Sequence, residues 1–417
     1  MSNAQKFVDF LNGSHSQFHA IANVEAALQE AGFIRLKENA LWNLENNRFY
    51  YVVKNQSSLI AFKLPEMINV RSINIVASHS DSPALKLKPA ADKTDKHYGR
   101  LTVEVYGGAI LSTWLDRPLA IAGRVTVREA GTIVSHLVDF DDQTVLIPNV
   151  AIHQNRQINE GYSYSAVTDM NVLVSGREDA GYLYELISEK LKVSREDILA
   201  ADLYLYDKVP AQIWGRDREF VSGQRIDNLE SVFTSLEAFK NGYSPNAIDM
   251  LAIFDREEVG SYAAEGMASS FLGNVINRIF GAFYYSASDV QAVLADSFLL
   301  SADNGHAVHP NHPELYDSEN QAYMNEGVVI KTAASGSYVN DAVSIAIVRQ
   351  LAYRAEVPVQ TFANRSDSRG GGTQTAHGAV NLAVRAADIG CAQLAMHSCY
   401  ETTGSKDVRS EEHTSEL

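Results

Sequence analysis

Only two cysteines, Cys391 and Cys399, occur in 417 residues. That is too few for a disulfide framework, so a reducing cytoplasm is the expected setting. No apolar run is long enough to span a bilayer. The opening MSNAQKFVDFLNGSHSQF has neither the basic start nor the apolar core of a signal peptide. Positive charge is also scarce: 35 Lys and Arg against 51 Asp and Glu leave a net charge of −16. Such a field repels nucleic acid and anionic membranes, so neither is expected as a partner. It would oppose an acidic substrate too, whose recognition would have to be local. Low-complexity tracts and repeats are absent. So are G-x-S-x-G, G-x-x-x-x-G-K-[ST], H-E-x-x-H and C-x-x-C, which removes several familiar chemistries from consideration.

What remains is an ordinary soluble composition, 46% hydrophobic and 21% charged, on a chain long enough for a large core and two domains. The first forty residues read as helical. Phe7, Phe10 and Leu11 share one face, and Ile21, Val24, Ala27 and Leu28 share another, with Gly32 suited to the stop. Strand-like runs follow at 48–53, 58–64 and 72–82. From about Lys88 to Lys208 the texture changes to short β-branched segments (LTVEVYGG, LAIAGRVTVRE, GTIVSHLVDF, TVLIPNVAIH) separated by turn residues. After Ser222 strand and helix patterns alternate again. The spacing predicts a discontinuous α/β domain, 1–88 with 222–408, and a β-rich insert over 89–221. The final RSEEHTSEL, 409–417, matches what a widely used sequencing-library adapter encodes in one frame. It is expected to be a processing scar, with the natural C-terminus lost.

The chemistry-bearing residues gather at the ends of apolar runs. After Ile73–Ala77 comes His79-Ser80-Asp81; positions two apart in an extended chain point the same way, so Asp81 can support His79, although a lone HxD is often just a capped turn. Asp227 opens a probable helix in IDN and reads in isolation as an N-cap. Met250–Ile253 ends in Asp255-Arg256-Glu257-Glu258, either a solvated turn or a catalytic pair at a strand end. Phe298–Leu300 leads into Ser301-Ala302-Asp303, with His306 and His309 behind. His397 follows Ala392–Ala395 and by default is a buried, satisfied histidine.

Taken together, HSDSP (79–83), QRIDN (224–228), DREEVGS (255–261), SADNGHAVHPN (301–311) and AMHSC (395–399) closely resemble the aspartyl aminopeptidase family of two-metal peptidases. The resemblance runs from about residue 7 to Val408. It implies a zinc-peptidase-like mixed sheet flanked by helices, with the β-rich insert serving assembly. It also implies two Zn2+ ions, with Co2+ or Mn2+ as substitutes. His79 and Asp303 would bind one ion, Glu258 and His397 the other, with Asp227 bridging, which overrules its N-cap reading. Asp81 would support the first site and Glu257 would be the general base. Oxygen and imidazole donors suit such ions, and neighbouring glutamates let one hold metal while the other moves protons.

The implied reaction is release of N-terminal residues, Asp or Glu by preference, from peptide substrates. Lys331 in GVVIKT, with Tyr338 nearby, matches the family position facing the acidic side chain, and His306 is a further substrate-binding candidate. His153 in IPNVAIH matches a position thought to reach a neighbouring subunit of a dodecamer; a histidine merely ending a strand is equally compatible. In NRSDSRGGGTQTAHG (364–378), Gln374 and Thr375 depart from the family pattern. The rival readings are a two-metal hydrolase of blocked amino acids and a catalytically silent assembly subunit. A thiolate site from Cys391 and Cys399 is disfavoured because the acids already fill the ligand set.

Overall fold

The computed structural model describes residues 1–66, 69–368 and 370–415. Arg369 of the glycine-rich stretch and Glu416–Leu417 of the tail lie outside them. Among the described residues the larger strands form three sheets flanked by helices, a mixed α/β architecture.

The nine-stranded sheet runs, edge to edge, Ile34–Leu36, Phe49–Lys54, Ser58–Lys63, Ala247–Phe254, Ser72–His79, Phe298–Ala302, Arg385–Gly390, Val328–Thr332 and Val359–Ala363. Four central neighbours, from Ala247–Phe254 to Arg385–Gly390, are mutually parallel. Both faces are covered, so these strands are apolar almost throughout. In Ala247–Phe254, Met250, Ala252 and Phe254 pack with Phe271, Val275 and Ile279 of the helix Phe271–Ala282. Leu251 and Ile253 point the other way, toward Leu229, Val232 and Leu236 of the helix Ile226–Asn241 and the N-terminal helices Asn3–Asn12 and Gln17–Glu30. Removing a side chain such as Leu251 would cost about 2–5 kcal/mol. This two-sided packing fixes the register, and with it the loops at the carboxyl ends of the four parallel strands.

The second sheet, Thr132–Asp139, Leu119–Glu129, Ile198–Asp207, Ala84–Thr94, Gly99–Tyr106 and Val172–Ser175 in that order, has its own core around Leu85, Leu101, Ile121, Val125 and Leu203. The strand expected in TVLIPNVAIH is reduced to the isolated bridges Leu119 to Val145 and Leu146 to Leu173. Pro148 has no N–H for a ladder, and turns follow it. A third sheet joins Gln212–Trp214, Phe220–Gly223, Glu401–Gly404, Ala392–Leu394 and Gly305–His306, so the boundary expected at 221 falls within a sheet shared with the C-terminal strands. Asp407–Ser415 forms a helix against Ile226–Asn241 and buries Val408, Glu411 and Thr414. No helix among the described residues is long and apolar enough to cross a membrane.

Candidate functional site

The parallel strands deliver their acids and imidazoles to one end of the sheet, where ligands bind in such folds. Ser72–His79 ends at His79. Ala247–Phe254 leads into the turn carrying Glu257 and Glu258. Phe298–Ala302 is followed at once by Asp303. Phe220–Gly223 and Glu401–Gly404 pair in the third sheet, which places Asp227 and His397 together although they stand far apart in sequence. Arg225, Arg256 and His397 have φ of 60°, 66° and 70°. Each left-handed residue costs about 1–2 kcal/mol, and such strain collects at functional sites. Asp227, whose isolated reading as an N-cap the family resemblance overrules, has non-helical φ and ψ at the start of its helix.

Asp227 sits at the centre. Its Oδ1 lies 3.6 Å from His79 Nε2 and its Oδ2 3.4 Å from His397 Nε2. His397 Nε2 is also 3.6 Å from Glu258 Oε2. These separations are too long for good hydrogen bonds. They suit donors that share an ion: two atoms each about 2.0–2.1 Å from a tetrahedral zinc stand about 3.4 Å apart. Donor atoms of His79, Asp227 and Glu258 all fall within 4.8 Å of one another. Asp227 Oδ1 and Glu258 Oε1 are buried without a hydrogen-bond partner, which is costly unless a cation satisfies them. The residues therefore fit a metal.

Electrostatics agree. Burial, then the charges of Asp227 and Glu257, push Glu258 well above the usual carboxylate range. Burial raises Glu257 to about 8; His79 opposes the rise, while Asp303, Asp81 and Asp227 add to it. Burial also raises Asp303, against the pull of Lys331 and His79. Burial works against an ionised Asp227, but the close approach of His397 and the positive field of both imidazoles bring it below its ordinary value. For His79 burial acts downward, and the Asp81 contact with the fields of Glu257 and Asp303 lifts it well above the imidazole range. Protons are compensating positive charge that a divalent cation would replace.

Asp81 is fully buried and accepts from Glu257 N at 3.1 Å and Glu258 N at 3.2 Å, with its Oδ1 3.4 Å from His79 Nδ1. It thus joins the first strand end to the glutamate turn. Asp303 is buried and coupled by charge to His79, outside the closest trio. Lys331 is only 2% exposed; its Nζ donates to the carbonyls of Asp303 (2.7 Å) and Asn304 (3.3 Å) and lies 5.4 Å from the Tyr338 ring centre. His306 is half-buried beside Phe362, and burial lowers its pKa. His153 is exposed among the turns that follow Pro148. Gln374, one of the departures, is buried with neither amide atom partnered.

Sequence reasoning missed Glu401, Tyr106, Gly107 and Gly108. Glu401 is 1% exposed and accepts from Asp227 N at 3.0 Å and His397 N at 2.7 Å, so one carboxylate pins the backbone of two ligand candidates. Nothing in ETTG signals this. Gly107-Gly108 after a strand could have been read as a close backbone approach.

A family model described as "Aminopeptidase I zinc metalloprotease (M18)" matches residues 10–414. A probable M18 family aminopeptidase 2 of Clostridium novyi (strain NT) is 39% identical over 412 residues, covering 97% of this chain and 95% of the relative. The fold matches a chain in the cryo-EM structure of the Ape4 and Nbr1 complex with a TM-score of 0.93 at 33% identity, covering 99% of this chain and 84% of that one. It matches the S. cerevisiae mApe1 dodecamer with a TM-score of 0.85 at 28% identity, over 99% and 95% of the two chains.

Proposed function

This chain belongs to the aminopeptidase I zinc metalloprotease (M18) family, and from that premise we propose that it releases N-terminal Asp and Glu residues from peptides at a two-zinc centre. The observation that carries this reading is Asp227, whose two carboxylate oxygens face the Nε2 atoms of two different histidines. A bridging carboxylate between two ions calls for that arrangement. His79 and Asp303 would then hold one zinc, Glu258 and His397 the other, and Asp81 would orient His79. Two divalent ions against the carboxylates of Asp227, Glu258 and Asp303 make a nearly neutral cluster, which a buried pocket tolerates. Co2+ and Mn2+ suit the same donors.

Bound zinc supplies Lewis acidity, which polarises a carbonyl and acidifies water. Glu257 carries the proton traffic: its carboxylate accepts the proton of the attacking water and returns it to the leaving amine as the peptide C–N bond breaks. Its own backbone N–H is held by Asp81, so the side chain is left free to move protons.

Lys331 supports the acidic preference. It is a buried cation whose ammonium is held by the carbonyls of Asp303 and Asn304 and lies 3.7 Å from the Asp303 carboxylate, positioned to meet a substrate carboxylate. Tyr338 forms the floor under it, and His306 stands on a neighbouring strand. A local cation of this kind offsets the net negative field of the protein. The six-stranded sheet is the assembly module of a closed homo-oligomer, a dodecamer by analogy with the yeast relative. Its edge strand Thr132–Asp139 leaves Ile133 74% exposed, an apolar edge of the kind that partners cover. His153 then reaches a neighbouring subunit's site, and the two buried free cysteines suit the cytoplasm.

Metal analysis combined with hydrolysis of Asp-, Glu-, Leu- and Lys-aminoacyl substrates tests the reading. The expected result is two zinc ions per chain, Asp and Glu preferred, and no turnover of N-acetylated forms. One ion or none, or preference for the acetylated substrates, would overturn it.

A further inference from the structure

The six-stranded sheet sends a short segment into the metal centre. Its strand Gly99–Tyr106 ends with the Tyr106 hydroxyl donating to Asp81 Oδ2 at 2.8 Å. The phenol lies edge-on to Tyr204, with ring centres 5.6 Å apart. Burial pushes its pKa far up, so it stays a donor. Gly107 follows with φ +68°, and a Cβ there would stand 3.1 Å from Glu258 Cβ and 3.3 Å from Glu258 Oε2. A Cβ on Gly108 would stand 3.1 Å from His397 Nδ1. The Gly108 carbonyl lies 3.2 Å from that same nitrogen, and Ile110 N donates to the His397 carbonyl at 3.0 Å.

A histidine ligand offers one ring nitrogen, and the hydrogen bond made by the other selects the tautomer and the ring plane. With Nδ1–H given to Gly108, the Nε2 lone pair of His397 faces Asp227 and Glu258. On the opposite side, Asp81 receives two backbone N–H groups and the Tyr106 hydroxyl while contacting His79 Nδ1. His79 Nδ1 lies 3.1 Å from the Asp81 backbone carbonyl and 3.4 Å from its carboxylate, so the hydroxyl holds in place the residue that orients the imidazole. A Gly-Gly serving only as a surface turn would have no need of either close approach.

We propose that Tyr106 and the Gly107–Gly108 turn are positioning residues of the metal centre, Tyr106 acting on His79 through Asp81 and the Gly108 carbonyl setting which nitrogen of His397 meets the ion. This rests on the zinc reading above. The second sheet is then part of the catalytic apparatus, and displacing it would loosen metal at both ends of the Asp227 bridge.

The test uses the full chain carrying Tyr106→Phe, Gly108→Ala, Asp81→Asn, or Tyr106→Phe with Asp81→Asn. Zinc affinity is read by competition with a chromophoric chelator, the visible spectrum is recorded on the Co2+ form, and kcat and KM are measured separately. Tyr106→Phe is expected to weaken zinc binding about 10–100-fold, the usual cost of losing such a partner, with KM within about twofold. The double variant should bind zinc no more weakly than Asp81→Asn alone, because the hydroxyl acts through that carboxylate. Gly108→Ala should shift the Co2+ spectrum. Zinc affinity within about twofold of the parent in both Tyr106→Phe and Gly108→Ala would overturn the proposal, whatever their melting temperatures; so would additive losses in the double variant. A parent chain that takes up no zinc would bring down this proposal and the underlying reading together. An unaltered Tyr106→Phe beside a zinc-binding parent brings down the positioning role alone.

Discussion

Chelating the metal should destabilise the protein more at alkaline than at acid pH. Without a cation, burial and its acidic neighbours hold Glu257 at about 8, against about 4.3 in an unfolded chain. A carboxyl raised on folding contributes stability that is fully present below its unfolded value and lost as pH climbs through its folded one. The metal-free protein should therefore weaken between about pH 5 and 9. With zinc bound, the cation keeps the carboxylates ionised and this loss disappears. A rise to about 8 corresponds to about 5 kcal/mol at 1.36 kcal/mol per unit; since Glu257 is only half-buried, about half of that survives solvent screening. Only about two of those units fall above pH 6, about 1.4 kcal/mol after screening; unfolding entropy for a chain of this length is about 0.9 kcal/mol/K, so Glu257 alone should widen the gap between loaded and stripped melting temperatures by about 1.5 °C from pH 6 to pH 9. Glu258 and Asp303, raised in the same direction, add to it. Differential scanning calorimetry with and without EDTA at several pH values reads the gap. A gap that stays constant with pH, or shrinks toward alkali, would refute the charge-compensation account of the site.

Glu257→Gln keeps the shape of the side chain and the backbone contact to Asp81, so zinc content should stay near the parent's while kcat falls about 10²–10⁴-fold; loss of zinc in parallel would argue against a pure proton-transfer role. Lys331→Met should abolish any advantage of Asp and Glu substrates over Leu in kcat/KM. A smaller general loss is expected too, because the carbonyls of Asp303 and Asn304 lose their donor; an unchanged Asp-to-Leu ratio would remove Lys331 from specificity. Glu411 is fully buried, raised by burial, and bonded to the hydroxyls of Ser231 and Thr234, which can also accept. Glu411→Gln should therefore stabilise the fold by about 1–3 kcal/mol at pH 8 and by little near pH 4. Urea titrations at both pH values check this, and equal effects at the two would contradict it.

Acids and imidazoles at the ends of apolar runs were visible in one dimension, but singly they were weak, and their roles as ligand candidates came from the resemblance of the five motifs together to a family. Glu257 and Glu258 are the clearest case. Asp227 was harder, since locally it has every mark of an N-cap; its backbone N–H goes instead to Glu401 of the third sheet, which no local pattern records. Glu401 and Tyr106 were illegible for the same reason. Their partners lie on other sheets, and a tyrosine ending a strand looks the same whether it faces water or Asp81. TVLIPNVAIH shows the opposite failure: β-branched residues suggested a strand, and Pro148 broke the ladder. At the C-terminal end, Glu411 sits against Glu230 and Asp407, both also pushed up by burial.

The pairing of Phe220–Gly223 with Glu401–Gly404 also has a temporal consequence. During synthesis the ribosome releases His79, Asp227, Glu257 and Asp303 long before Glu401 exists to anchor Asp227 and His397. Contacts of such sequence separation form late. A chain made only as far as Asp303 therefore lacks His397 and the Glu401 carboxylate that accepts from the backbone N–H groups of Asp227 and His397, so the site's geometry waits on the closing of the third sheet.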